Sequence, residues 1–264
     1  MTAEKKTKKL RVGVYGITGC AGCMLSLIFN EDELLDIAEL VDIRAFPFIK
    51  EKKDERSFDV VLLEGTVVQP EDLELVEKLR KKTKILVALG ACSSTGGVPS
   101  LRNFIDPEKY RHLVYHKASG IQDMPPKPVD EYVKVDYYLP GCPPDKKEII
   151  RFLQDAALGK IPKMYPHPVC VECRLRENRC LLEEGKMCLG PITRGGCEAV
   201  CPTNNLECWG CRGPVDDANL TELIALLHKK GFDTDRIKAR LETFAGLKIA
   251  QIEVGHKKWL EESH

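Results

Sequence analysis

The feature that most constrains this chain is where its cysteines fall. Four of the twelve, Cys20, Cys23, Cys92 and Cys142, stand in glycine-framed turns spread across a long alternation of strand-like and helix-like segments. The other eight, Cys170, Cys173, Cys180, Cys188, Cys197, Cys201, Cys208 and Cys211, crowd into residues 170–211. One cubane iron–sulfur cluster takes four thiolates, so twelve cysteines divide into three sets with none left over. A chain that spends its cysteines this way is expected to conduct electrons.

Residues 10–155 read as βα units. LRVGVYGI (10–17) is an apolar strand ending in glycine, and a helix pattern follows from Met24. VDIRAFPF (41–48) alternates like a half-buried strand, while FDVVLLEGTV (58–67) and KILVALG (84–90) are the continuous apolar runs of strands covered on both faces. PEDLELVEKLRKK (70–82) is a helix with Pro at its start, acids in its first turn and bases in its last. VDYYLPG (135–141) is a further strand, and DKKEIIRFLQDAALG (145–159) a helix closed by glycine. Such repetition predicts an α/β fold with a doubly wound parallel sheet.

Cys20 and Cys23 follow the first strand, Cys92 follows KILVALG and Cys142 follows YYLPG. Ligands of open α/β sheets sit beyond the carboxyl ends of the strands, so three loops deliver four thiols to one site. A proline-rich stretch, KIPKMYPHPVC (160–170), predicts a boundary, with domains over 1–160 and 161–264. Residues 170–213 show little apolar periodicity, so metal is expected to organise them. LTELIALLHKKG (220–231) is an amphipathic helix, DTDRIKARLETFAG (233–246) a second one ended by Gly246, and the remainder a further helix or tail.

Zinc is the rival metal. Cys20-x2-Cys23, Cys170-x2-Cys173 and Cys208-x2-Cys211 each fit half a tetrahedral zinc site, so a zinc-stapled, non-enzymatic interaction subunit stays open. Disulfides are disfavoured: no apolar run follows the basic N-terminus, so no export signal is expected, and a reducing cytoplasm favours metal. No run approaches the ~20 apolar residues of a membrane span. With Lys+Arg and Asp+Glu both 40, nothing points to nucleic acid or a membrane surface. Charged residues reach 30%, above the roughly 25% of average domains, and Asn and Gln number only six and four, a heat-adapted pattern.

TGCAGC (18–23), GACSSTGG (90–97) and PGCPP (140–144), in that order, resemble the small subunit of [NiFe] hydrogenases, nearest to the cytoplasmic heterotetrameric archaeal enzymes such as the NADP-linked sulfhydrogenases and their delta subunits. The resemblance implies a flavodoxin-like domain followed by a small iron–sulfur domain with few regular elements and C-terminal helices. It implies three [4Fe–4S] clusters: a proximal one on Cys20, Cys23, Cys92 and Cys142, a distal one on Cys170, Cys173, Cys180 and Cys188, and a medial one on Cys197, Cys201, Cys208 and Cys211. The NiFe(CN)2CO site would lie in a separate large subunit, and FAD and NAD(P) in flavin- and cluster-bearing partners. The chain alone would not be catalytic. Periplasmic members use a distal histidine, for which His167 is the only rival here, and a proline where Cys201 stands. The related cluster subunit of quinone reductases, with adjacent cysteines and one cluster, fits the spacing less well.

Other residues carry weaker signals. Glu64 ends a strand near the first site and is either a proton relay or a solvated strand-end carboxylate. Trp209 either shields a cluster, packs on a partner or packs in a core. His112 and His116 stand i, i+4 apart without an evident third ligand, a structural or surface pair. Gly13-x-x-Gly16-x-x-Gly19 is not the G-x-G-x-x-G dinucleotide fingerprint, so the sheet does not imply bound flavin.

Overall fold

β-branched and leucine-rich runs that cannot face water on either side make the middle of the sheet. In a computed structural model, which describes residues 9–29, 34–51, 54–106, 116–117, 121 and 123–262, five parallel strands lie in the order β2-β1-β3-β4-β5. They are β1 (Leu10–Gly16), β2 (Val41–Ala45), β3 (Phe58–Glu64), β4 (Thr83–Leu89) and β5 (Tyr137–Leu139). This is the doubly wound order, with its switch between β1 and β3. Successive residues of β3 point to opposite faces: Val60 and Leu62 enter one core with Val12, Val14, Val87 and Leu89, while Val61 and Leu63 enter another with Tyr15, Val76 and Leu79. Each buried Leu or Val contributes roughly 1.5–3 kcal/mol relative to exposure.

The first core is covered by α1 (Gly22–Ile28), α2 (Leu34–Leu40) and, later in the chain, the helix over Lys146–Ala157; the second is covered by α3 (Pro70–Lys82). α4 (Ala91–Thr95) and a 3-10 turn (Val98–Phe104) follow β4. α5 (Lys146–Ala157) opens where the Asp145 carboxylate accepts the Glu148 amide at 3.0 Å. The strand expected over 41–48 stops at Ala45, where the chain turns through Pro47, a residue without an amide to give the ladder.

Residues 160–168 form no regular element. Beyond them lie α6 (Val169–Leu175), α7 (Val200–Thr203), α8 (Leu220–Lys229) and α9 (Thr234–Glu262). The cysteine-rich segment does not depend on metal alone, as its poor periodicity suggested. Leu181, Leu182, Met187, Leu189 and Ile192 share a core with Leu220, Leu223, Leu227, Ile237 and Leu241 of the two long helices. A segment without its own repeat thus packs under a later amphipathic face. Nor does the second helix end at Gly246: α9 bends at Ala245 (φ −136°) and runs on. Gly246 answers to a close approach instead, because a Cβ there would lie 2.7 Å from the Phe104 ring. At the bend the Thr95 hydroxyl donates to the Phe244 carbonyl at 2.6 Å, and Lys248 pairs with Asp130 at 2.9 Å, so α9 returns onto the sheet domain.

Candidate metal centres

The first quartet gathers where β1, β4 and β5 end. Cys20 precedes α1 and Cys23 lies on it, Cys92 lies on α4 and Cys142 follows β5. The Gly90 amide donates to Leu139 O at 2.8 Å and the Ala91 amide to Gly141 O at 2.7 Å, so the Cys92 and Cys142 loops are tied together. Gly90 has φ +91°, and a Cβ there would lie 2.3 Å from Cys23 Sγ; only glycine leaves that thiol room. Burial first, then Cys142 and Cys20, push the Cys92 thiol up to about 12. Burial first, then Glu64 and the other three thiols, push Cys23 up as well. The four therefore lie within electrostatic reach of one another without a nearby cation among those influences.

Glu64 is not a solvated strand-end carboxylate. It is 2% exposed at the end of β3, and its Oε2 accepts the Met24 amide at 3.0 Å, with the Cys23 and Ala21 amides also donating to it. Burial pushes its carboxyl up against the pull of those amides. It holds the loop that presents Cys20 and Cys23.

All four thiols of Cys170, Cys173, Cys180 and Cys188 line one cleft of about 550 Å³. A Cβ at Gly190 would lie 3.3 Å from Cys170 Sγ and 3.4 Å from Cys188 Sγ. Burial first, then Cys188, Cys173 and Cys180, push Cys170 up to about 12. His167 does not line this cleft; it is exposed and meets the Tyr165 ring edge-on at 5.7 Å.

Between them lie Cys197, Cys201, Cys208 and Cys211. Burial first, then Cys197 and Cys201, raise Cys211 to about 11, against an amide donated by Cys142 and the charge of Arg212. Cys208 is raised by burial, although the Thr193 hydroxyl and the Gly210 amide donate to it. Its own amide donates to Cys188 Sγ at 3.3 Å. Trp209 is 43% exposed and carries the Arg240 guanidinium over its ring at 3.5 Å, so it is not core packing. His116 is exposed, and His112 lies outside the described residues.

None of the twelve cysteines is in a disulfide. Among the described residues no three His, Cys, Asp or Glu side chains are drawn together as a ready grip for a metal ion. The donor chemistry and the roomy cleft over Cys170, Cys173, Cys180 and Cys188 nonetheless fit a body larger than one ion, since Zn–S bonds of about 2.3 Å would draw thiolates into contact. Sequence reasoning passed over Arg212 and Glu148, whose side chains pair at 2.7 Å. The one signal was an arginine set directly after the last clustered cysteine, and its partner stands far away in α5.

Residues 20–156 match the family model of the NADH ubiquinone oxidoreductase 20 Kd subunit. The chain is 40% identical over 237 residues to sulfhydrogenase 2 subunit delta of Pyrococcus furiosus, covering 89% of this chain and 99% of that one. It is 35% identical to a subunit of the F420-non-reducing hydrogenase of Methanocaldococcus jannaschii, over 80% and 84% of the two chains. Among solved structures, a chain of an NAD+-reducing [NiFe]-hydrogenase in its H2-reduced state superposes with a TM-score of 0.53 and 34% identity, over 59% of this chain and 95% of that one. Both the strand-end cysteine loops and the kinship that extends through the cysteine-rich half place the chain in the NADH ubiquinone oxidoreductase 20 Kd subunit family, on its branch of hydrogenase subunits.

Proposed function

We propose that the chain is the electron-transfer subunit of a soluble, cytoplasmic [NiFe] hydrogenase, holding three [4Fe–4S] clusters between a hydrogen-splitting large subunit and a flavin- and cluster-bearing partner that exchanges electrons with NAD(P). The observation that carries this reading is the contact between neighbouring quartets. The Cys142 amide donates to the thiol of Cys211, and the Cys208 amide donates to that of Cys188. These contacts support reading the three sets as proximal, medial and distal in that order. Cys20 and Cys142 of the first set and Cys180 of the third are exposed, whereas no thiol of the middle set is. Exposed ends and a shielded middle are what a relay between two partners needs.

Clusters bound there would supply one-electron redox centres. The chain's own residues hold them, keep water from the middle site, and lower the charge on individual sulfurs through amide donors such as those of Cys142, Cys208 and Gly210. Filling a site drives off the thiol protons that burial now retains. Free thiols suit a reducing cytoplasm, and among the described residues no helix is long and apolar enough to cross a membrane. NAD(P) as the acceptor draws support from the NAD+-reducing hydrogenase structure, and assembly with further subunits from the kinship to a sulfhydrogenase subunit. The amide-poor, charge-rich composition accords with kin from Pyrococcus.

Iron, acid-labile sulfide and zinc in anaerobically purified protein test the reading. About twelve iron and twelve sulfide per chain are expected from three cubanes. Stoichiometric zinc without sulfide would replace the relay with a structural, zinc-stapled subunit.

A further inference from the structure

Arg212 follows Cys211 directly and is almost wholly enclosed, with 2% of its side chain exposed. Its guanidinium spends its donors on three separate segments. Nε donates to Gly195 O at 2.8 Å, two residues before Cys197. Nη1 donates to Pro140 O at 2.7 Å, two residues before Cys142. Nη1 and Nη2 together grip the Glu148 carboxylate on α5, at 2.7 and 2.8 Å. Packing around it is tight enough that a Cβ at Gly196 would lie 2.7 Å from Nη2. One planar group therefore binds the loop of a first-quartet cysteine, the approach to a middle-quartet cysteine and the helix behind them. The Cys142 amide meets the Cys211 thiol at the same place. Only an arginine has the rigid fork that reaches all three at once; a lysine is a point charge.

We propose that Arg212, seated on Glu148, is a positioning residue for the electron step between the proximal and medial sites: by tying Pro140, Gly195 and α5 together it keeps Cys142 and Cys211 in contact. This role rests on the relay reading above. The step would move one electron and no atom or proton: a centre held by Cys142 would be oxidised and one held by Cys211 reduced. Tunnelling falls steeply with separation, so a fixed contact between ligands of adjacent centres would favour transfer between them.

Full-length protein purified anaerobically with its clusters, then reduced with dithionite, gives the readout. Spin–spin splitting in its EPR spectrum reports the spacing and contact of neighbouring reduced clusters, and iron content and melting temperature are measured alongside. Arg212→Lys keeps the charge and is expected to keep wild-type iron and each cluster's own signal while losing the proximal–medial splitting. Glu148→Gln, which retains one acceptor oxygen, is expected to keep part of it. An Arg212→Lys protein with lowered melting temperature but intact splitting would overturn the proposal and leave Arg212 a domain staple. If Arg212→Lys sheds the middle cluster, Glu148→Gln decides, reduced splitting supporting the role and unchanged splitting overturning it. A wild-type protein without iron–sulfur signals would overturn the relay itself, and this role with it.

Discussion

Glu64 accepts the amide of Met24 across 3.0 Å, joining the end of the central strand to the helix that carries Cys23. Two further amides, of Cys23 and Ala21, converge on the same buried carboxylate. Glu64→Ala leaves these donors without an acceptor, at a cost of about 1–3 kcal/mol for each unsatisfied group. The loop should loosen and, on the three-cluster reading proposed above, about four of twelve iron be lost. Glu64→Gln keeps one acceptor oxygen and should retain more iron. Metal analysis with a thermal melt checks both.

Glycine at 90 serves the thiol beside it rather than the turn alone. Gly90→Ala would place a methyl 2.3 Å from Cys23 Sγ at φ +91°, so it should abolish the first cluster. Gly159 shares the left-handed backbone (φ +75°), but a methyl added there would meet nothing within 4 Å. Gly159→Ala should therefore cost only the backbone strain, roughly 1–2 kcal/mol, and leave iron unchanged. The contrast in iron content between the two alanine variants is the measurement.

Removal of iron should divide the molecule. The sheet has apolar cores on both faces that contain few cysteines, whereas Cys188 and Cys208 are built into the core that the cysteine-rich segment shares with α8 and α9, beside Leu189 and Leu227. Chelation under reducing conditions should leave the amides of β1, β3 and β4 protected from hydrogen exchange. Residues 170–213 should lose protection. Uniform loss across both regions would refute this division.

Asp59 of β3 takes a two-pronged contact from Arg11 of β1, with both distances 2.8 Å, and a third from Lys84 of β4 at 3.0 Å. The Arg11 hydrogen bonds, more than the Lys84 contact, hold the Asp59 carboxyl well below its ordinary value of 3.8. A depressed carboxyl stabilises the fold above that ordinary value, and the stabilisation is lost as pH falls through the depressed one. Asp59→Asn should lower stability by about 1 kcal/mol at pH 7, since the group is partly exposed. The gap between variant and wild type should shrink in melts below pH 3.8.

Periodicity made β4 and the helix over Pro70–Lys82 legible, because burial on two faces and a 3.6-residue stripe are local properties. The convergence of Cys20, Cys23, Cys92 and Cys142 was legible for a related reason: parallel strands send all their carboxyl ends to one edge. The burial of Glu64 was not, because a carboxylate at a strand end looks solvated until the loop that folds over it is known. Gly246 misleads because a glycine after a helical stripe usually caps it, and only Phe104, from a distant segment, gives it another reason.

The sequence by itself determined the parallel α/β sheet and the edge where the loops of Cys20, Cys23, Cys92 and Cys142 lie, since strand patterning and cysteine spacing act over short separations. Only the tertiary structure decided how the quartets meet. Cys142 touches Cys211, Cys208 touches Cys188, and Arg212 reaches Glu148 across 64 residues of chain. Such contacts have no local signature, because they form where two separately organised cores pack, and a buried charge finds its partner only when both have been removed from water.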